Sequence, residues 1–171
     1  SNDISRSLSS SSCIVDTALH AVFLSDAFAS SRSNLVSSNS IHDLPYKGAS
    51  ASSTTNNINR FWGVKLYNIT GTGTYNTKIE SNSIVRIMAL NSLNMVEVNQ
   101  CAVVVVNKNT VYNCATDNSY TYVMNFLTSN DLDVSNNTIR KVVVGNNGKA
   151  NGLYGMNFLT CVNSVWTWNR I

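Results

Sequence analysis

The side chains best suited to touching a ligand are the aromatic ones. Trp62, Tyr67, Tyr75, Tyr112, Tyr120, Tyr122, Tyr154 and Trp168 are too many for one core in a chain of 171 residues. An aromatic face packs against the apolar face of a sugar while its hydroxyl or N–H stays wet. Neutral Asn and Ser supply hydrogen bonds to sugar hydroxyls. Tyr122, Tyr154 and Trp168 are the glycan-binding candidates. Tyr122 and Tyr154 precede two copies of one pentapeptide, Met124-Asn125-Phe126-Leu127-Thr128 and Met156-Asn157-Phe158-Leu159-Thr160. That in-register placement also fits plain inter-strand stacking.

Carboxylates offer a weaker case. Asp131 and Asp133 share the outward face of one expected strand, which makes them the weak acidic candidates. A glycosidase needs two carboxyls about 5 to 9.5 Å apart, flanking one bond. Calcium takes about six to eight oxygens. The aligned positions, Asn76 and Lys78, Val103 and Val105, Asn163 and Val165, carry no second acidic pair. Glu80 stands alone. Asp43 and Arg86 fall at one offset in neighbouring repeats and are expected to form an exposed ion pair. No nucleophile motif such as G-x-S-x-G occurs, and catalytic residues are unassigned. No metal or cofactor site is expected: there is no CxxC and no Cys/His cluster with zinc spacing.

The elements that must carry these residues follow from repetition. An apolar residue, two variable residues, Asn, one variable residue and Ile or Val recur as Val36–Ile41, Ile79–Ile84, Val106–Val111, Val134–Ile139 and Trp166–Ile171. A partial copy, Asn2-Asp3-Ile4, opens the chain. The motif asparagines, Asn39, Asn82, Asn109, Asn137 and Asn169, follow Asn2 at spacings of 37, 43, 27, 28 and 32 residues. A period of about 20–50 residues points to stacked coils. The drift in spacing suits fixed strands with variable loops. The two apolar positions are read as inward, from two short strands meeting at a bend. Asn is expected to take the left-handed backbone of that bend and to bond its amide to the Asn of the next coil, about 4.8 Å away, giving a structural ladder.

This pattern resembles the right-handed parallel β-helix of the pectin-lyase-like superfamily, including tailspikes and surface adhesins. The resemblance covers nearly the whole chain and implies architecture, with no catalytic motif to carry over. The fold class expected is all-β: a solenoid of about five coils with an asparagine ladder. A leucine-rich repeat also fits Leu132-x-Val134-x-x-Asn137-x-Ile139. Sparse Leu, variable spacing and strand-like stretches such as Val103–Val106 and Val142–Val144 argue against it.

Composition bounds the rest. Residues 1–171 read as a single domain with a loop insertion at 45–60. Charged residues make up 12% of the chain, against about 25% in typical domains, while 26 asparagines and 24 serines supply neutral polarity. That balance suits stacked sheets and an extracellular, cell-surface or virion setting. A net charge of +3 with scattered Lys and Arg gives no nucleic-acid interface. No apolar run reaches the length of a membrane span. Cys13, Cys101, Cys114 and Cys161 are expected as small core hydrophobes. Cys101 and Cys161 share a coil position two coils apart, too far for a disulfide. The first motif lacks its preceding strand and the last stops within a coil. Both ends are therefore expected to meet further coils of the same protein or neighbouring chains. The function expected is a structural or adhesive segment that binds glycans. The alternative is a tailspike-type polysaccharide lyase or glycoside hydrolase.

Overall fold

The computed structural model describes residues 2–5, 19–25, 28–29, 33–44, 60–71, 76–89, 92–116, 121–145 and 152–171. The strands follow the repeat turn by turn. β1 is Asp3–Ser5. The next turn holds β2 (Leu19–Ser25), β3 (Phe28–Ala29), β4 (Asn34–Ser37) and β5 (Ser40–Leu44). Then come β6 (Arg60–Tyr67), β7 (Thr70–Gly71), β8 (Thr77–Glu80) and β9 (Ser83–Ala89). The third turn is β10 (Ser92–Asn99), β11 (Ala102–Asn107) and β12 (Thr110–Thr116). The fourth is β13 (Thr121–Leu127), β14 (Asn130–Ser135) and β15 (Thr138–Val144). β16 (Leu153–Leu159) and β17 (Val165–Thr167) follow.

Corresponding strands of successive turns pair in parallel. The first sheet runs β1-β5-β9-β12-β15, the second β16-β13-β10-β6-β2, and the third β17-β14-β11-β7-β3 with β4 and β8 beside them. No helix occurs among the described residues. The architecture is all-β, three parallel sheets stacked turn on turn, compatible with a parallel β-solenoid. The segments between Asn motifs are strands, contrary to a leucine-rich repeat.

Inward positions form columns. Val36, Ile79, Val106 and Val134 are in register and buried. So are Ile41, Ile84, Val111 and Ile139. Trp166 continues the first column beside Val134, remains 55% exposed and packs its ring on Phe158 at 4.6 Å. Cys114 sits beside Val142 in the core, and burial pushes its thiol up to about 11. Cys101, Cys114 and Cys161 are free. Cys13 and the 45–59 part of the expected loop lie outside the described residues; Arg60 already belongs to β6.

The motif asparagines lie between the first and third sheets, and their amides bond from turn to turn. Asn39 Nδ2 donates to Asn82 Oδ1 at 2.9 Å, and Asn82 Nδ2 to Asn109 Oδ1 at 2.9 Å. Asn109 and Asn137 continue the row at 3.0 Å each, ending on Asn169. Each Oδ1 also accepts the backbone N–H of the preceding Asn in the row. The second Nδ2 proton reaches a main-chain carbonyl, Val36 from Asn82 and Ile79 from Asn109.

One expectation about these residues is corrected. The asparagines do not take the left-handed backbone; the residues just before them do. Ser38, Ser81, Lys108, Asn136 and Trp168 have φ of 53°, 56°, 56°, 55° and 55°. The bend is thus made one residue earlier, which turns the Asn side chain inward, where its amide is dry and its hydrogen bonds matter most.

Candidate binding face on the second sheet

Pairing register puts two outward columns on the second sheet. The first is His20, Trp62, Asn94, Tyr122 and Tyr154. The second is Phe23, Lys65, Glu97, Asn125 and Asn157. Side chains alternate along a strand, yet pairing skips the position after the first column. That position is buried in Gly63, Met95 and Val123, as is the next in Val64, Val96 and Met124. The extra inward residue recurs in register at each turn and spaces the outward columns three residues apart.

Gly63 fits this inward position for a steric reason. A Cβ there would lie 2.5 Å from Met95 O and 2.6 Å from Ile84 Cδ1. The Met95 main-chain carbonyl and the Ile84 side chain occupy the space where a Cβ would go.

The rings of the first column stack at the strand spacing. Tyr122 and Tyr154 lie 4.9 Å apart with a 14° interplanar angle. His20 and Trp62 lie 4.8 Å apart at 29°, and His20 also stacks on Phe23 at 5.2 Å. Lys65 Nζ sits 4.9 Å from the Trp62 ring centre and 3.2 Å from Glu97 Oε1. Trp62 Nε1 donates to Glu97 Oε2 at 2.8 Å. Glu97, with 8% of its side chain exposed, is thereby held by a cation and an indole N–H. Asn157 Nδ2 donates to Asn125 Oδ1 at 2.8 Å, so the second column ends in its own amide pair.

Two polar atoms on this face are buried with no hydrogen-bond partner among the described residues: Asn94 Oδ1 and His20 Nε2. The pKa of His20 is lowered, first by burial and then by the Lys65 charge, with Glu97 opposing.

The candidates named from sequence fall in three places. Tyr122 and Tyr154 come together on this face, Tyr122 half-buried and Tyr154 41% exposed. Trp168 stands apart, 86% exposed at the bend before Asn169. Asp131 and Asp133 are exposed on β14 of the third sheet; Asp133 pairs with Val105 and Val165, and Asp131 makes a bend with φ 52°. No three His, Cys, Asp or Glu side chains among the described residues converge as a metal site. Tyr67 is 36% exposed, and Tyr112 lies under Lys141 at 5.5 Å. Tyr75 and Tyr120 lie outside the described residues.

On the first sheet, Arg86 Nη2 donates to Asp43 Oδ2 at 2.6 Å, with a second, close contact from Nε to Oδ1. His42 Nδ1 lies 2.7 Å from the same carboxylate. The Arg86 and His42 hydrogen bonds hold the Asp43 carboxyl well below the usual carboxylate range. This is the inter-turn ion pair read from the shared offset.

Sequence reasoning missed Asn94, Glu97, Lys65, His20 and Phe23. Asn94, Tyr122 and Tyr154 each lie fifteen residues before their motif Asn, whereas Trp62 and His20 lie twenty and nineteen before theirs. The constant offset was the available signal for Asn94. Compared with protein-family models, curated proteins and solved structures, the chain matches none. No helix among the described residues is long and apolar enough to cross a membrane.

Proposed function

We propose that the chain is a segment of a right-handed parallel β-helix of the pectin-lyase-like type, with an asparagine ladder, that serves a structural and adhesive role by binding glycans. The observation that carries this reading is the in-register ring column on the second sheet, with Tyr122 and Tyr154 at 4.9 Å and 14°. The Tyr122–Tyr154 stack, flanked by the amides of Asn125 and Asn157, suits the apolar faces and hydroxyls of a carbohydrate chain. Low charge and abundant Asn and Ser favour an extracellular, cell-surface or virion-fibre setting. In this reading residues 1–171 are one domain with a 45–60 insertion, and its end strands pair with further coils or neighbouring chains, as unpaired strand edges do.

A glycan array followed by product analysis tests it. Binding without cleavage, weakened by Tyr122→Ala, is the expected result. Cleavage that disappears in Asp133→Asn would instead establish the lyase or hydrolase alternative.

A further inference from the structure

The first outward column lacks one ring. His20 and Trp62 stack on one side, Tyr122 and Tyr154 on the other, and Asn94 occupies the strand between them. Trp62 and Tyr122 are two strand spacings apart, about 9.6 Å. That distance takes one further ring in contact with both. Asn94 is only 6% exposed and its Oδ1 has no partner among the described residues. Buried polar atoms are nearly always hydrogen-bonded, so an orphan acceptor at such a place asks for a donor.

The surroundings define what that donor belongs to. The nearby charges cancel: Lys65 and Glu97 pair at 3.2 Å, and the other Glu97 oxygen is taken by the Trp62 indole. Among the described residues, no unpaired Lys or Arg stands on these two columns to meet an anionic sugar. An amide oxygen accepts but cannot donate, so it selects a hydroxyl or an amide N–H.

We infer that this position is a subsite for a neutral pyranose ring, held between Trp62 and Tyr122, with one hydroxyl or N-acetyl N–H donating to Asn94 Oδ1. The inference rests on the glycan-binding reading and narrows it to neutral sugars and one residue. Asn94 is 6% exposed, so a sugar reaches its Oδ1 only if neighbouring side chains on this face part. Trp62 stays, tied by its indole to Glu97.

The test is titration calorimetry on the full chain with neutral oligosaccharides of glucose, galactose, mannose or N-acetylglucosamine. Galacturonic-acid and sialylated oligosaccharides serve as the anionic arm. Neutral binding weakened about tenfold in Asn94→Ala, the scale of one lost hydrogen bond, supports the inference. Asn94→Val, a residue suited to strands, repeats the test should the alanine variant fold poorly. Two results overturn the inference and leave glycan binding standing. One is binding confined to the anionic sugars. The other is neutral binding lost in Tyr122→Ala and unchanged in both Asn94 variants. Binding to neither class removes the subsite and the glycan reading together.

Discussion

Replacing Asn109 with Leu breaks the amide row at its centre, and the structure fixes what is lost. Asn109 Oδ1 accepts from Asn82 N at 3.0 Å and from Asn82 Nδ2 at 2.9 Å. Asn109 Nδ2 donates to Ile79 O at 2.8 Å and Asn137 Oδ1 at 3.0 Å. Asn109 is fully buried. Leucine leaves two Asn82 donors unsatisfied, at about 1–3 kcal/mol each. Its own burial returns roughly 1.5–3 kcal/mol. The expected net loss is about 2 kcal/mol, a fall in Tm of about 4–8 °C for a chain of this size.

The comparison that isolates the effect is Asn157→Leu. Asn157 also bonds an Asn of the adjacent turn, Asn125, but through one part-buried contact on the outer face. A single such bond is worth about 0.5–1.5 kcal/mol, so this variant should lose about 1 kcal/mol or less. Urea unfolding of both variants gives the ratio. Amide hydrogen exchange adds a local reading, because stacked turns are stabilised largely by nearest-neighbour contacts. The Asn82 N–H should exchange faster in Asn109→Leu and be unchanged in Asn157→Leu. If Asn109→Leu costs no more than Asn157→Leu, or the Asn82 amide stays protected, the amide row does not stabilise the turns and the reasoning fails.

Three further outcomes are expected. Gly63→Ala should destabilise by about 1–3 kcal/mol through overpacking, because its Cβ meets backbone at Met95 O; Gly155→Ala, whose Cβ meets only the flexible Ile171 side chain at 3.1 Å, should be near neutral in the same melts. Val103→Asn should stabilise by about 1 kcal/mol, since a β-branched residue at φ 57° carries left-handed strain of about 1–2 kcal/mol; Asn163 and Asp131 already fill equivalent bends. Because the pKa of His20 is lowered on folding, the unfolded chain binds the extra proton first, so stability should fall as pH drops below about 6.5; His20→Gln should flatten that slope in melts from pH 7.5 to 5.

How much of this was legible depends on which side of the sheet a residue faces. The inward code is chemical and redundant. Val36, Ile79, Val106 and Val134 are all β-branched aliphatics, and the Asn beyond them is invariant across the turns, so the strands and their stacking could be read directly. The Tyr122–Leu127 and Tyr154–Leu159 copies were identical enough to place β13 on β16 residue for residue. The outward code has no such redundancy. His20, Trp62, Asn94, Tyr122 and Tyr154 share a column only through pairing register. Their offset from the motif Asn is broken in the first two turns, where the third-sheet strand is split into β3 and β4 and into β7 and β8. The left-handed bend was placed on Asn because Asn tolerates it. Stacking overrode that preference, since an inward amide with four partners outweighs the modest cost of a left-handed Ser or Lys at the position before.

The same division explains how such a fold accommodates a binding function. The inward columns beside the motif Asn keep their shape from turn to turn, because a change in one residue there meets two neighbours of the same kind. The outward columns carry no such constraint, and the second sheet uses that freedom unevenly. Where turns are nearly identical, at β13 and β16, like residues stack on like: Tyr on Tyr and Asn on Asn. Where they differ, at β6 and β10, Trp62 meets Asn94 and Lys65 meets Glu97, and the orphan acceptor arises at that junction. A column of identical side chains satisfies itself. Departure from identity between adjacent turns leaves polar atoms unmatched, and those atoms are where a stacked fold has hydrogen-bonding capacity to offer a ligand.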